Sequence, residues 1–346
     1  MMAKSTKTRL RKQALNRLIQ LGMLAGCLGF GASANAALSF TFDYTDNGGT
    51  SEFLGAGNQN RRTALETAGT LFSSYFGSLF SNSGTVTLGV QGTNESCQFG
   101  CTLAFAASNA VTNATGFGNG EVVRNKLVNG IDVNGAANDG LVGVNWGAPW
   151  ELDPGVSVAT QNAGNFDFYA ALFHEFTHAL GFASALSQAG DDGTGTGGVS
   201  SPGYWNKFDQ FMTDCNGSDL INHGTGLTNL GVYDDAKVSA NGKSMCFAGA
   251  NALAASNADP VLLYAPTTYS PGSSGSHLLS TGANTGAMMK FDRDADIDEP
   301  RTYNTITVGV LTDLGYSAAV NAVPEPGTIA LVLAALAGLT MRRRKA

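Results

Sequence analysis

The stretch Phe173-His174-Glu175-Phe176-Thr177-His178-Ala179-Leu180-Gly181-Phe182 carries a His-Glu-x-x-His pattern inside an apolar segment. From Phe166 to Leu180 the apolar residues recur at three- and four-residue steps, which predicts a helix. Gly181 follows at the place where a left-handed C-cap would end it. Residues four apart share one helix face, so His174 and His178 can reach the same metal ion. Neutral imidazole suits zinc. Glu175 lies one residue round the helix, close enough to take a proton from a metal-activated water without being a ligand. The chain has only four histidines, and two of them carry this spacing.

A catalytic zinc usually has three protein ligands and one open position. Ser184 stands where the common metzincin motif has its third histidine, and serine is not a credible zinc ligand. Two histidines remain. His223 sits in the turn-like Ile221-Asn222-His223-Gly224 and reads as a surface-loop residue. His277 ends the run Pro271-Gly272-Ser273-Ser274-Gly275-Ser276-His277, whose small residues let the backbone pass close to a site, and Met288-Met289 follows shortly after.

The rest of the chain sets limits on function. Only 14% of the 346 residues are charged while 43% are hydrophobic, which argues against a charge-rich disordered protein. Glycine is abundant, at 45 residues, but without a three-residue period, so collagen is excluded. Ten of the 20 Lys and Arg lie in the two ends. The other ten face 26 Asp and Glu between residues 37 and 323, a net of −16. Such a body lacks the basic patch that nucleic-acid binding needs.

Both ends read as targeting segments. A basic stretch, an apolar run from Leu21 to Phe30 and the small-x-small site Ala34-Asn35-Ala36 make residues 1–36 a secretory signal peptide, cut after Ala36 by a signal peptidase. At the other end, Val323-Pro324-Glu325-Pro326 precedes an apolar run from Thr328 to Met341 and the basic Arg342-Arg343-Arg344-Lys345. The apolar run is shorter than the ~20 residues of a stable spanning helix. This tail, residues 322–346, resembles the PEP-CTERM sorting signals of Gram-negative bacteria. The resemblance implies transient anchoring in the inner membrane, recognition by an exosortase, and release or attachment at the cell surface. Cys97, Cys101, Cys215 and Cys246 are an even set in a mature exported chain, which predicts disulfides. The pairs Cys97–Cys101 and Cys215–Cys246 each close a local Gly- and Asn-rich loop.

Strands are predicted at Leu38–Tyr44, Thr85–Val90, Leu103–Ala107 and Leu141–Trp146, with helices at Arg62–Phe80 and Thr305–Leu314. Strands first, a long central helix and a loop-rich second half predict an α+β fold in two subdomains. The first, 37–184, would carry the His-Glu-x-x-His helix. The second, 185–321, would carry the third ligand.

Three separated motifs stand in one order: His174-Glu175-Phe176-Thr177-His178-Ala179-Leu180-Gly181-Phe182, then Gly275-Ser276-His277 with Ala287-Met288-Met289, then Asp313-Leu314-Gly315-Tyr316. Together they resemble the leishmanolysin family, a metzincin branch with a long insertion before the third histidine. The resemblance implies a metzincin-like zinc peptidase in which His277 is the third ligand. It also implies a methionine beneath the metal, either Met288 or Met289. Leu278 follows His277 where relatives often have tryptophan.

The expected function is an exported zinc-dependent endopeptidase acting on protein or peptide substrates, with Glu175 as general base. Its rivals are a non-proteolytic surface or biofilm-matrix protein built on the same domain, and a zinc hydrolase of non-peptide bonds. Asp292, Asp294, Asp296, Asp298 and Glu299 form a candidate Ca2+ site, weighed against a solvated acidic turn. Trp146 and Trp150 are read first as core residues.

Overall fold

Leu38, Phe40 and Phe42 alternate with Ser39 and Thr41, which gives strand β1 (Leu38–Asp43) one apolar face. The computed structural model describes residues 37–319, apart from 46–50, 98–99, 112–113, 162, 194–196 and 239–244. β1 belongs to a four-stranded sheet with β2 (Gly84–Thr93), β3 (Ala104–Ser108) and β4 (Gly140–Asn145), in the order β1-β2-β4-β3. β1, β2 and β4 run parallel, with Leu88 opposite Gly140. β3 joins antiparallel at the edge, with Ala106 opposite Val142.

Two helices cover the apolar face of this sheet. Helix α1 (Gln59–Leu79) buries Ala64, Leu65, Ala68, Phe72 and Phe76, which recur at helical spacing. Helix α2 (Phe168–Ala179) carries the His-Glu-x-x-His pattern. Phe176 of α2 stacks on Phe40 of β1 at 4.7 Å, and Phe72 of α1 meets Phe173 edge-on at 5.3 Å. These phenylalanines hold one side of α2 to the core and turn its histidines the other way. Every residue of α2 is buried except Glu175.

The ends of α2 are fixed by side chains. Asp167 caps the first turn, its carboxylate accepting from Ala170 N at 3.0 Å. Arg301 donates to the same carboxylate through Nε at 3.0 Å and Nη2 at 2.9 Å. Asp167→Ala should therefore cost about 1–3 kcal/mol of stability, the sum of a lost cap and an unpaired guanidinium. Asp167→Asn, which keeps the cap, should fall between it and the wild type in thermal unfolding. At the other end Gly181 has φ +102°, and a Cβ there would stand 2.8 Å from Glu121 Oε1, so both backbone and space require glycine.

The second half is built from short elements. Strands β5 (Met212–Thr213), β6 (Cys246–Phe247) and β7 (Val261–Leu262) form an antiparallel sheet with β6 in the middle. The bond Cys215–Cys246 ties it together, and Cys97–Cys101 closes the turn after β2. Helices α3 (Ala250–Ala255) and α4 (Thr305–Asp313) cross closely at Gly309, where a Cβ would meet Ala252 Cα at 2.7 Å. Asp313 accepts from Asn251 N and Ala252 N, each at 3.0 Å. The chain then returns to the first half, where Tyr316 donates to Leu180 O at 2.8 Å and Ala319 N to Leu79 O at 2.7 Å.

The mixed α+β architecture is as expected, and both disulfides pair as read from the loops. Several boundaries shift. α1 begins three residues earlier than expected and β2 extends to Thr93. α2 starts at Phe168 because Phe166 and Asp167 pair with Trp150 and Glu151 as a short parallel ladder. Helix α3 carried no clear periodic signal, since six residues are too few to show one.

Candidate metal centre

The histidines at 174 and 178 come together with His277, 103 and 99 residues further along. Their Nε2 atoms form a nearly equilateral triangle: 3.0 Å between His174 and His178, 3.1 Å between His174 and His277, and 3.2 Å between His178 and His277. Among the described residues this is the one group of three or more His, Cys, Asp or Glu side chains able to hold a metal ion.

The outer nitrogen of each ring is fixed by a backbone carbonyl. His174 Nδ1 lies 2.7 Å from Met288 O, His178 Nδ1 2.6 Å from Phe182 O, and His277 Nδ1 3.0 Å from Ser273 O. A carbonyl can only accept, so Nδ1 of His178 and Nδ1 of His277 carry the proton and their Nε2 atoms present lone pairs, while His174 Nδ1 meets the Arg293 Nη2 donor at 2.9 Å as well as the Met288 carbonyl. The three Nε2 atoms converge on one point, an arrangement that a shared cation would satisfy. Tetrahedral zinc with bonds of about 2.1 Å would place its nitrogens about 3.4 Å apart, so the residues present fit such an ion with small adjustment. Burial keeps the rings neutral, pushing His174 well below the usual histidine range, His178 down to about 4 and His277 down to about 3.

Glu175 is half-buried, the one residue of α2 that is not fully so, and its Oε2 accepts from Ala106 N of the edge strand at 3.1 Å. Ala106 thereby spends on Glu175 an N–H that the sheet leaves unpaired. Burial pushes the carboxyl up to about 7, opposed by Arg293 and by the Ala106 N–H.

Ser184 has a different role from that of a ligand. Its backbone N–H donates to Ser276 Oγ at 3.1 Å, and its hydroxyl donates to Asp209 at 2.6 Å. Asp209, also accepting from Ala185 N and Asn206 N, ties the chain after α2 to residues 206–209, while the Ser184–Ser276 bond ties it to the loop that presents His277. Nearby, Glu121 accepts from Lys207 N at 2.6 Å. Burial pushes its carboxyl up from 4.5 to about 7. Its contribution to stability is therefore full below pH 4.5 and lost as pH rises through 7. Wild type should lose more stability than Glu121→Gln between about pH 5 and pH 8, as read from denaturant midpoints.

Met288 and Met289 are both buried against this centre. Met288 supplies the carbonyl to His174, while Met289 O accepts from Leu278 N at 2.8 Å.

Residues 322–345 match the PEP-CTERM protein-sorting motif. The motif indicates an exported protein that is anchored or processed at the membrane of a Gram-negative bacterium, and it implies processing by an exosortase. Comparison with curated proteins and with solved structures found no match. The PEP-CTERM tail and the signal peptide read at 1–36 lie outside the described residues. Among the described residues no helix is long and apolar enough to cross a membrane.

The remaining candidates are spread away from the triad. His223 is exposed, 3.9 Å from Asp219. The carboxylates considered for Ca2+ do not converge. Asp296 accepts from Gly164 N, Asp298 from Ser157 Oγ and Ala159 N, and Glu299 pairs with Lys290 and Arg293. Asp296 and Asp298 staple residues 290–299 to the loop before α2, while Asp294 and Glu299 pair with cations of their own segment. Trp146 stacks on Phe168 at 5.6 Å and Trp150 meets Phe168 edge-on, so both pack over the start of α2.

Sequence reasoning missed an aromatic shelf and a buried arginine. Phe291, 41% exposed, stacks on Tyr264 at 4.1 Å and meets His277 edge-on at 5.8 Å. Arg293 lies behind His174. Neither position stands in a pattern that spacing could have exposed.

Proposed function

We propose that this chain is an exported zinc-dependent endopeptidase. The observation that carries the reading is the convergence of three carbonyl-oriented histidine nitrogens beside Glu175, the one residue of α2 that is not fully buried. A structural zinc site is closed and has no use for an adjacent carboxylate that is not itself a ligand. That favours hydrolysis over the non-proteolytic surface or matrix module.

His174, His178 and His277 would hold the metal. Zinc bound there supplies Lewis acidity, polarising the scissile carbonyl and making water more acidic. Glu175 accepts the proton of the attacking water at a carboxylate oxygen and delivers it to the leaving amine nitrogen. The Ala106 N–H keeps that carboxylate at the edge of β3. Met288 and Met289 are fully buried, and Met288 gives its carbonyl to His174.

A parallel sheet with an antiparallel edge strand, α2 laid against it and a methionine carbonyl behind the first histidine support the metzincin-like, leishmanolysin-type reading. The test is cleavage of an unfolded protein by the purified exported protein, before and after treatment with a zinc chelator. Cleavage should cease on chelation and return on adding back zinc. Cleavage that persists after complete metal removal would refute the reading.

A further inference from the structure

Behind His174 lies a buried ion cluster that the proposed reaction does not use. Glu299 Oε2 is 3.3 Å from Arg293 Nη1, and Glu299 Oε1 is 2.9 Å from Lys290 Nζ. The three side chains are between 4% and 11% exposed. Burying charges is costly even when they pair, so a mere connection between the Met288 turn and α4 would not need this cluster. Arg293 Nη2 donates to Met288 O and lies 2.9 Å from His174 Nδ1. Arg293 Nε is buried without a partner. The place of the guanidinium is therefore set by Glu299 on one side and the Met288 carbonyl on the other.

The three histidines differ in how their outer nitrogens are held. His178 and His277 use carbonyls four residues away, fixed by their own local turns. His174 uses Met288 O, 114 residues away. That acceptor needs a tertiary anchor of its own.

We propose that Arg293 is the positioning residue of the metal centre, gripping the Met288 carbonyl from its Glu299 anchor and so setting the ring of His174. This role rests on reading His174, His178 and His277 as metal ligands. The anchor is itself held to the loop before α2 by Asp296, which accepts from Gly164 N at 2.8 Å, and by Asp298, which accepts from Ser157 Oγ at 2.5 Å. Outer partners of metal-bound histidines typically govern about ten- to hundredfold in affinity. Arg293 also brings a positive charge near a cation site, which Glu299 offsets. In a charge-removing variant the two effects have opposite signs, so the experiment separates them.

Zinc dissociation constants, measured by chelator competition on the exported protein, should rise about ten- to hundredfold in Arg293→Met. The visible absorption of the Co2+-loaded protein should change in the same variant, because the His174 ring turns. Arg293→Lys should show a smaller rise, since an ammonium cannot grip both partners at once. Glu299→Gln should move in the same direction. Melting of the metal-free proteins separates a loss of folding from a loss of positioning. Wild-type or tighter zinc binding by Arg293→Met, with an unchanged cobalt spectrum, would overturn the proposal. If Arg293→Met does not fold, Arg293→Lys and Glu299→Gln are read by the same two measurements. A wild type that binds neither zinc nor cobalt would overturn the metal centre and this role together.

Discussion

Glu175→Ala is expected to lower peptide-bond hydrolysis by about a thousandfold or more while leaving the metal content unchanged. A positioned general base contributes about 10²–10⁴, and Glu175 is the one carboxylate within α2. The substitution leaves the three imidazoles and their carbonyl partners in place. It strands only the Ala106 N–H at a sheet edge, where water can replace the lost acceptor. Initial rates on an unfolded protein substrate, beside elemental analysis of both preparations, check it. Equal rates from the two proteins would remove Glu175 from its assigned role. A parallel loss of metal would show that Glu175 helps build the site rather than using it.

His277→Ala should abolish stable metal retention and activity together. His174 and His178 alone offer two nitrogens from one helix, whereas a catalytic zinc needs a third protein ligand to hold it. The same variant separates metal-linked stability from the rest. A ligand present at a thousandfold excess over its dissociation constant stabilises the folded state by about 4 kcal/mol. Added zinc should therefore raise the unfolding temperature of the wild type by several degrees and leave His277→Ala unmoved. Differential scanning fluorimetry with and without zinc checks it. A zinc-induced shift of equal size in both proteins would place the metal elsewhere. His277 is also boxed in by Ser276 and its partner Ser184, so the metal-free melting of the variant must be compared first.

How much of this was legible beforehand depends on how local each signal is. The helix and its two histidines were readable because a four-residue step is a property of one element. The strands β1, β2, β3 and β4 were readable from alternation and turn residues, but their order was not. Nothing in Leu103–Ala107 says that it joins β4 antiparallel at the edge and donates to Glu175. The third histidine lies 99 residues beyond His178, so spacing alone left His223 and His277 both open, and the resemblance pointed to His277. The aspartates of 292–298 show the opposite failure. Their composition suits a cation, yet Asp296 and Asp298 turn their oxygens to separate backbone and hydroxyl donors, which only the tertiary structure reveals. Arg293 is one basic residue in an acidic run, and its place behind His174 is set by the buried Glu299. Ser184 lacks the chemistry of a ligand, and the structure shows it holding the loop that supplies His277.

The central claim is that three histidines form one metal centre. X-ray absorption at the zinc edge on the exported protein tests it most directly. The account expects one zinc per chain with about three imidazole nitrogens near 2.0–2.1 Å and a further light-atom ligand. A protein without zinc, or a zinc with sulfur neighbours or fewer than three imidazoles, would contradict it.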